Sequence, residues 1–172
     1  MLYQYNYKSP LGILTMASDG ENITGLWFEG QKYFASTIKE KCITKQLPIF
    51  AKAVSWLDCY FGGRKPSITL PLAPQGTEFR QQVWQILSTI PYGQTITYGE
   101  IAKRIALAMG KEKMSAQAVG GAVGHNPIAI IIPCHRVVGA MGNITGYAGG
   151  LDRKIKLLQL EHVEINKFYM PK

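Results

Sequence analysis

The chain has no apolar run approaching the roughly 18 residues of a membrane-spanning helix, so no membrane partner is expected. Cysteine is scarce. Cys42, Cys59 and Cys134 form no C-x-x-C pair and are odd in number. A reduced, intracellular protein fits this better than a disulfide scaffold or a zinc module, and no metal or cofactor is expected. The opening residues, Met1 to Lys8, are tyrosine-rich and lack the apolar stretch of a signal peptide, which points to the cytoplasm, or to the nucleus in a eukaryote. Acidic residues are also in short supply, and the formal net charge is +8. A basic globule of this size suits a polyanion such as nucleic acid, or simply solubility; charge alone does not separate the two.

What is present is apolar material, 47% of 172 residues against 17% charged, enough for one good core or two small ones. The chain divides at Pro71-Leu72-Ala73-Pro74-Gln75-Gly76, a stretch of linker type with two prolines and a glycine. This gives an α+β reading: a small N-terminal α/β domain, residues 1–73, followed by a mostly helical domain, residues 74–172. In the first, 2–7, 11–17 and 22–28 read as short strands separated by Ser9-Pro10 and Asp19-Gly20. Ile49, Ala53, Trp56, Leu57 and Tyr60 then recur at helical spacing, and Gly62-Gly63 ends that helix. Cys59 lies within the helical pattern and reads as a small buried residue. Cys42 sits in a lysine-flanked polar stretch with no base near it in sequence.

After the linker the period is helical. Phe79, Val83, Leu87 and Ile90 form one face, starting after Thr77 and ending at Pro91-Tyr92-Gly93. Thr97-Tyr98-Gly99-Glu100 has the form of a capping box and opens a second helix through Ile101, Ala102 and Ile105. Ser115 caps a third, Ala116 to Gly124, built almost wholly of small residues. Two helices joined by a short connection suggest helix-turn-helix. A helix of alanine and glycine suits close backbone and shape contact with a groove, or packing made tight against a neighbouring helix.

Ile128 to Ile132 is an unbroken apolar run and reads as a buried strand that delivers Cys134 to the edge of the core. Cys134, His135 and Arg136 follow Pro133 directly, placing a thiol, a base and a positive charge together, as nucleophilic cysteine chemistry requires. Neighbours on a strand face opposite ways, so a water or a local turn would have to connect thiol and imidazole. From spacing alone, an inert core thiol and a reactive one stand equal. A glycine-rich loop, Gly139 to Gly150, leads to a last helix with Leu151, Ile155, Leu158 and His162 on one face. Glu161, late in that helix, opposes the macrodipole and should have a partner.

The segments GTEFRQQVW (76–84), IPYGQTITYGEIA (90–102), AVGGAVGHNPIAIIIPCHRVVG (118–139), GYAGGL (146–151) and KIKLLQLE (154–161) resemble the O6-alkylguanine-DNA alkyltransferases, in the family's order and spacing. Residues 1–73 are more weakly similar to that family's variable N-terminal domain. The resemblance implies a monomer that binds double-stranded DNA in the minor groove through a helix-turn-helix. It implies that the protein flips O6-alkylguanine into a pocket and moves the alkyl group irreversibly to Cys134. His135 would be the base through a bound water, oriented by Glu161, with Asn126 bracing the cysteine turn. Tyr98 would hydrogen-bond the flipped base and crowd a phosphate, and Val137, Tyr147 and Ala148 would line the pocket. Gly99, Gln117, Ala118 and Arg136 would face DNA. Where the family commonly has an arginine that enters the base stack, this chain has Gln117, which lacks the charge and the planar fork. Two other readings are a helix-turn-helix damage sensor without chemistry, against which Cys134 argues, and a thiol hydrolase, which needs an acyl-binding cleft.

Overall fold

Three strand-forming segments near the N-terminus pair in sequence order because each is joined to the next by a turn whose side chains close it. In the computed structural model, which describes residues 1–169, β1 spans Leu2–Ser9, β2 Gly12–Ser18 and β3 Ile23–Phe28. The Ser9 hydroxyl donates to the Gly12 carbonyl at 2.6 Å and accepts from Leu11 N–H, fixing the first turn. The Asp19 carboxylate accepts from Glu21 and Asn22 N–H across the second, where Gly20 takes a φ of +108°. A fourth strand, β4 (Cys42–Thr44), not anticipated from sequence, adds parallel to β1, so the sheet order is β3-β2-β1-β4. Every residue of β3 is buried, and α1 (Pro48–Phe61) turns Ile49, Phe50, Ala53, Leu57 and Tyr60 inward. Phe50 stacks on Tyr5 at 5.8 Å between ring centroids.

This first unit comprises residues 1–75 together with 127–129. The stretch expected to be a linker is partly tied down: Ile23 N–H donates to Pro71 O and Ala73 N–H to Ile23 O, both at 2.9 Å. Cys59 is half-buried, less enclosed than its helical position suggested.

The second unit, residues 76–126 and 130–172, holds the remaining helices. Thr77 caps α2 (Glu78–Leu87) by accepting from Arg80 N–H, Thr97 caps α3 (Tyr98–Ala108) through Glu100 N–H, and Ser115 caps α4 (Ala116–Gly124) through Ala118 N–H. Only half of the capping box forms, since the Glu100 carboxylate turns instead to Arg104. Trp84 on α2 donates its indole N–H to the Ala122 carbonyl at 2.9 Å, locking α4 to α2. Gly76 is required beneath that indole, because a Cβ there would come within 2.4 Å of it. Two short strands, β5 (Ile96–Thr97) and β6 (Val137–Val138), pair in parallel and set the start of α3 beside the chain that leaves Cys134. The last helix, α5, spans Leu151–Leu160.

Two expectations are corrected. Residues 128–132, buried except for the half-buried Ile131, are not a strand. Only Ile128 bridges, to Leu26, and the chain then turns with Ile130 at a φ of 69°. A short apolar run does not distinguish a strand from a buried turn, and a β-branched residue in the left-handed region is rare enough to escape prediction. The inward face of α5 is Lys154, Leu157 and Leu158, whereas His162 lies past the helix end, exposed, at a φ of 67°.

Candidate active site

Pro133 does more than precede the cysteine. Its φ of −82° and ψ of 66° make an inverse γ-turn, closed by Cys134 N–H donating to Ile132 O at 2.8 Å. The Asn126 amide donates to the same carbonyl at 2.7 Å, so the last residue before the 127–129 excursion braces the turn. Cys134–Arg136 then forms one turn of 3-10 helix. This tight turn, rather than a strand, carries the Cys-His-Arg run, and all three side chains are buried.

The thiol sits among donors. Burial pushes its pKa up, while the Asn126 side chain, the nearby Lys154 ammonium and the N–H groups of Cys134 and His135 act in the opposite sense. Little thiolate therefore exists at rest, and a base must take the proton as sulfur reacts.

His135 is that base by position. Its Nε2 donates to Glu161 Oε2. Glu161 Oε1 accepts from Arg136 Nε at 2.8 Å and from Gly93 N–H at 2.9 Å. Burial works to raise the Glu161 carboxyl, but the hydrogen bonds and charges of His135 and Arg136 outweigh it and hold the pKa at about 2. Burial lowers the His135 pKa against the pull of Glu161, so the imidazole rests neutral. A neutral ring that donates from Nε2 carries its lone pair on Nδ1. Gly93, at a φ of +79°, is demanded here twice: it turns the chain after Pro91-Tyr92, and a Cβ would approach the Glu161 carbonyl to 3.2 Å.

Tyr98, first residue of α3, donates its hydroxyl to Thr145 O at 3.3 Å, and burial raises its pKa to about 12. Val137 is fully buried and Ala148 half-buried. The Tyr147 hydroxyl is buried with no hydrogen-bond partner among the described residues, and burial followed by the proximity of Cys134 holds it protonated. The structure thus brings Asn126, Cys134, His135, Glu161, Tyr98, Val137 and Tyr147 into one region.

The expected DNA-facing residues separate into two kinds. Gly99, Gln117 and Ala118 are exposed near the N-termini of α3 and α4. Arg136 is not: its side chain is buried, donating to Glu161 and, at 2.7 Å, to the Ile90 carbonyl, with Tyr92 beside it. An arginine so engaged is withheld from any partner, and its place on a DNA surface is corrected. On α4 the packing face is Val119, Ala122 and Val123, but a Cβ on Gly120, Gly121 or Gly124 would meet nothing within 4 Å. Tight packing therefore does not explain the glycines.

Sequence reasoning missed Lys154. The signal was there: at i, i+3 and i+4 it shares the buried face of α5 with Leu157 and Leu158, a lysine inside an apolar stripe.

Comparison with known proteins agrees across the chain. Residues 1–74 match the family model for the ribonuclease-like domain of 6-O-methylguanine DNA methyltransferase, and residues 78–163 match the model for its DNA binding domain. A methylated-DNA–protein-cysteine methyltransferase of Haemophilus influenzae is 45% identical over 163 residues, covering 94% of this chain and 87% of that one. The crystal structure of Mycobacterium tuberculosis O6-methylguanine methyltransferase superposes with a TM-score of 0.79 at 45% identity, covering 94% and 93% of the two chains. Mycobacterium tuberculosis OGT in complex with DNA gives 0.80 at 42% identity, with 96% and 94% covered. The chain belongs to the 6-O-methylguanine DNA methyltransferase family.

Proposed function

We propose that this protein repairs DNA by moving the alkyl group of O6-alkylguanine onto the sulfur of Cys134, once per molecule. The observation that carries the reading is the buried pair formed by His135, in the turn that holds Cys134, and an ionised Glu161 at the end of α5. As the alkyl carbon bonds to sulfur, its bond to O6 breaks and the electron pair leaves with guanine. The thiol proton passes to His135 Nδ1 through a bound water, and Glu161 stabilises the imidazolium that forms. No cofactor is needed, because the leaving group takes its own electrons. Tyr98 donates to the flipped base, while Val137, Tyr147 and Ala148 line its pocket. Even a cysteine of ordinary pKa is only a few per cent ionised at pH 7, and burial leaves the Cys134 thiol less ionised still, so ionisation supplies only part of the rate. Alignment of sulfur, carbon and oxygen supplies the rest.

Residues 74–172 carry both DNA binding and transfer, with α3 and α4 as the helix-turn-helix and α4 laid in the minor groove. Gln117 occupies the gap left by the flipped guanine. The protein works as a monomer in the cytoplasm, on the DNA. A sensor without chemistry would need none of the Cys134-His135-Glu161 arrangement.

The decisive experiment is intact-protein mass after incubation with duplex DNA containing O6-methylguanine. One methyl group per protein, mapped to Cys134, is expected, with repair stopping at one equivalent. Multiple turnovers, or label on Cys42 or Cys59, would overturn the reading. Cys134→Ser should bind DNA and transfer nothing.

A further inference from the structure

The chain beyond α5 comes back to the loop that follows the cysteine turn. His162, at a φ of 67°, ends the helix: its N–H donates to Gln159 O at 2.9 Å and Val163 N–H donates to Leu158 O at 3.0 Å, the paired bonds of a Schellman stop. One turn of 3-10 helix, Ile165–Lys167, follows. Tyr169 then lies along the glycine-rich loop. Its N–H donates to Gly142 O at 2.9 Å and its carbonyl accepts from Ile144 N–H at 2.8 Å, so Asn143 and Tyr169 pair as a single parallel bridge. Gly142, at a φ of +80°, lies close against the same segment, where a Cβ would stand 3.4 Å from Lys167 O and 3.5 Å from the Phe168 ring. The Tyr169 side chain itself is exposed. The contact is made by backbone.

What this bridge holds is the approach to the pocket wall. Gly139 N–H donates to Asn143 O at 2.6 Å, which closes the start of the loop on itself. Ile144 is fully buried, and Thr145-Gly146 lead directly into Tyr147 and Ala148. The Thr145 carbonyl is held from the other side by Lys154 and Tyr98. Residues 142 and 144 reach outside the loop through Tyr169.

We propose that residues 165–169 form a strap that positions the pocket wall for alkyl transfer, the Tyr169 backbone holding Gly142 and Ile144 so that Tyr147 and Ala148 stand where the guanine binds. The proposal rests on the reading of Cys134 as the acceptor. The reacting groups are anchored elsewhere: the cysteine turn by the Asn126 amide, Glu161 by Arg136 and Gly93 N–H. Loosening the strap therefore weakens binding of the base and leaves the transfer step itself intact. Apparent affinity falls in proportion to the fraction of time the wall is in place.

The test measures the rate of Cys134 labelling by free O6-benzylguanine, which needs no base flipping, across a range of concentrations. It compares the parent with Tyr169→Pro and Tyr169→Ala, with folding checked by circular dichroism. Proline has no N–H, so the Gly142 carbonyl loses its donor. Phe168, at a φ of −113° and a ψ of 152°, already has the extended conformation that a following proline requires. Alanine keeps both backbone bonds. Tyr169→Pro should need roughly tenfold more O6-benzylguanine for half-maximal labelling, with a saturating rate within about threefold of the parent. Tyr169→Ala should restore the parent's half-saturation. A chain ending at Lys167 removes the strap and should match Tyr169→Pro, which decides the matter if the proline variant does not fold.

A folded Tyr169→Pro with the parent's half-saturation overturns the proposal. So does Tyr169→Ala as impaired as Tyr169→Pro, or a loss confined to the saturating rate. Failure of both Tyr169→Pro and the shortened chain to fold makes the segment part of the core and overturns it too. A parent that never labels Cys134 overturns the transfer reading itself, whereas a labelled parent with unimpaired variants removes only the strap.

Discussion

Arg136 and Glu161 form a buried ion pair, with Nε 2.8 Å from Oε1, and the same carboxylate holds His135 through its other oxygen. One glutamate thus answers both a permanent cation and the imidazole next to the nucleophile. Arg136 keeps the carboxylate ionised whatever His135 does, and the ionised carboxylate fixes which ring nitrogen is protonated.

Removing either partner should have different signatures. Glu161→Ala leaves a guanidinium buried without its counter-charge and should cost about 3–5 kcal/mol of stability, measured by urea unfolding, besides slowing transfer. Arg136→Met removes the cation and leaves the Glu161 carboxylate to His135 and the Gly93 N–H. The His135 pKa should then rise, and the acid limb of the transfer rate should move to higher pH.

Acid stability follows from the same carboxylate. The folded pKa of Glu161, about 2, lies below the ordinary glutamate value of about 4.3. A depressed carboxylate contributes stability that is fully present above the unfolded pKa and lost as pH falls through the folded one. The midpoint of denaturant unfolding should therefore drop between about pH 4.5 and 2, and Glu161→Gln should flatten the drop.

Gly121 separates the demands of folding from those of DNA. Its added Cβ meets open space, so Gly121→Ala should stabilise the protein by up to about 1 kcal/mol through helix propensity alone. Gly121→Leu should fold as well yet weaken DNA binding, if α4 approaches the groove closely. Equal DNA affinity of parent and Gly121→Leu would place the groove contact elsewhere. Binding by the parent should weaken steeply between about 50 and 200 mM salt and vary little with undamaged sequence.

Gln117 is exposed on the first turn of α4, without the charge of an arginine. Gln117→Ala should slow repair in duplex DNA, where unstacking costs a few kcal/mol, and leave reaction with free O6-benzylguanine unchanged. Gln117→Arg should be at least as active as the parent on duplex. Equal slowing of both substrates by Gln117→Ala would make the residue a support of the fold.

The parts of this protein written in short stretches of chain were legible in the residues themselves. The caps at Thr77, Thr97 and Ser115, the stop at Gly62-Gly63, and the turns that separate β1, β2 and β3 each depend on neighbours a few positions away. The partner that Glu161 had to have was legible as a need, because a carboxylate at a helix C-terminus opposes the dipole. Only the tertiary structure decided who met it. Arg136 is 25 residues from Glu161 and 46 from the Ile90 carbonyl, and nothing in its own segment shows that it turns inward. Ile128–Ile132 is apolar whether it extends or turns, and only the fold shows that it pairs with Leu26 at Ile128 and then turns at Ile130. Lys154 stands out in the sequence as a lysine inside the apolar stripe of α5, but only the tertiary structure shows what accepts from it: the carbonyls of Val137 on β6 and of Thr145 and Gly146 in the following loop.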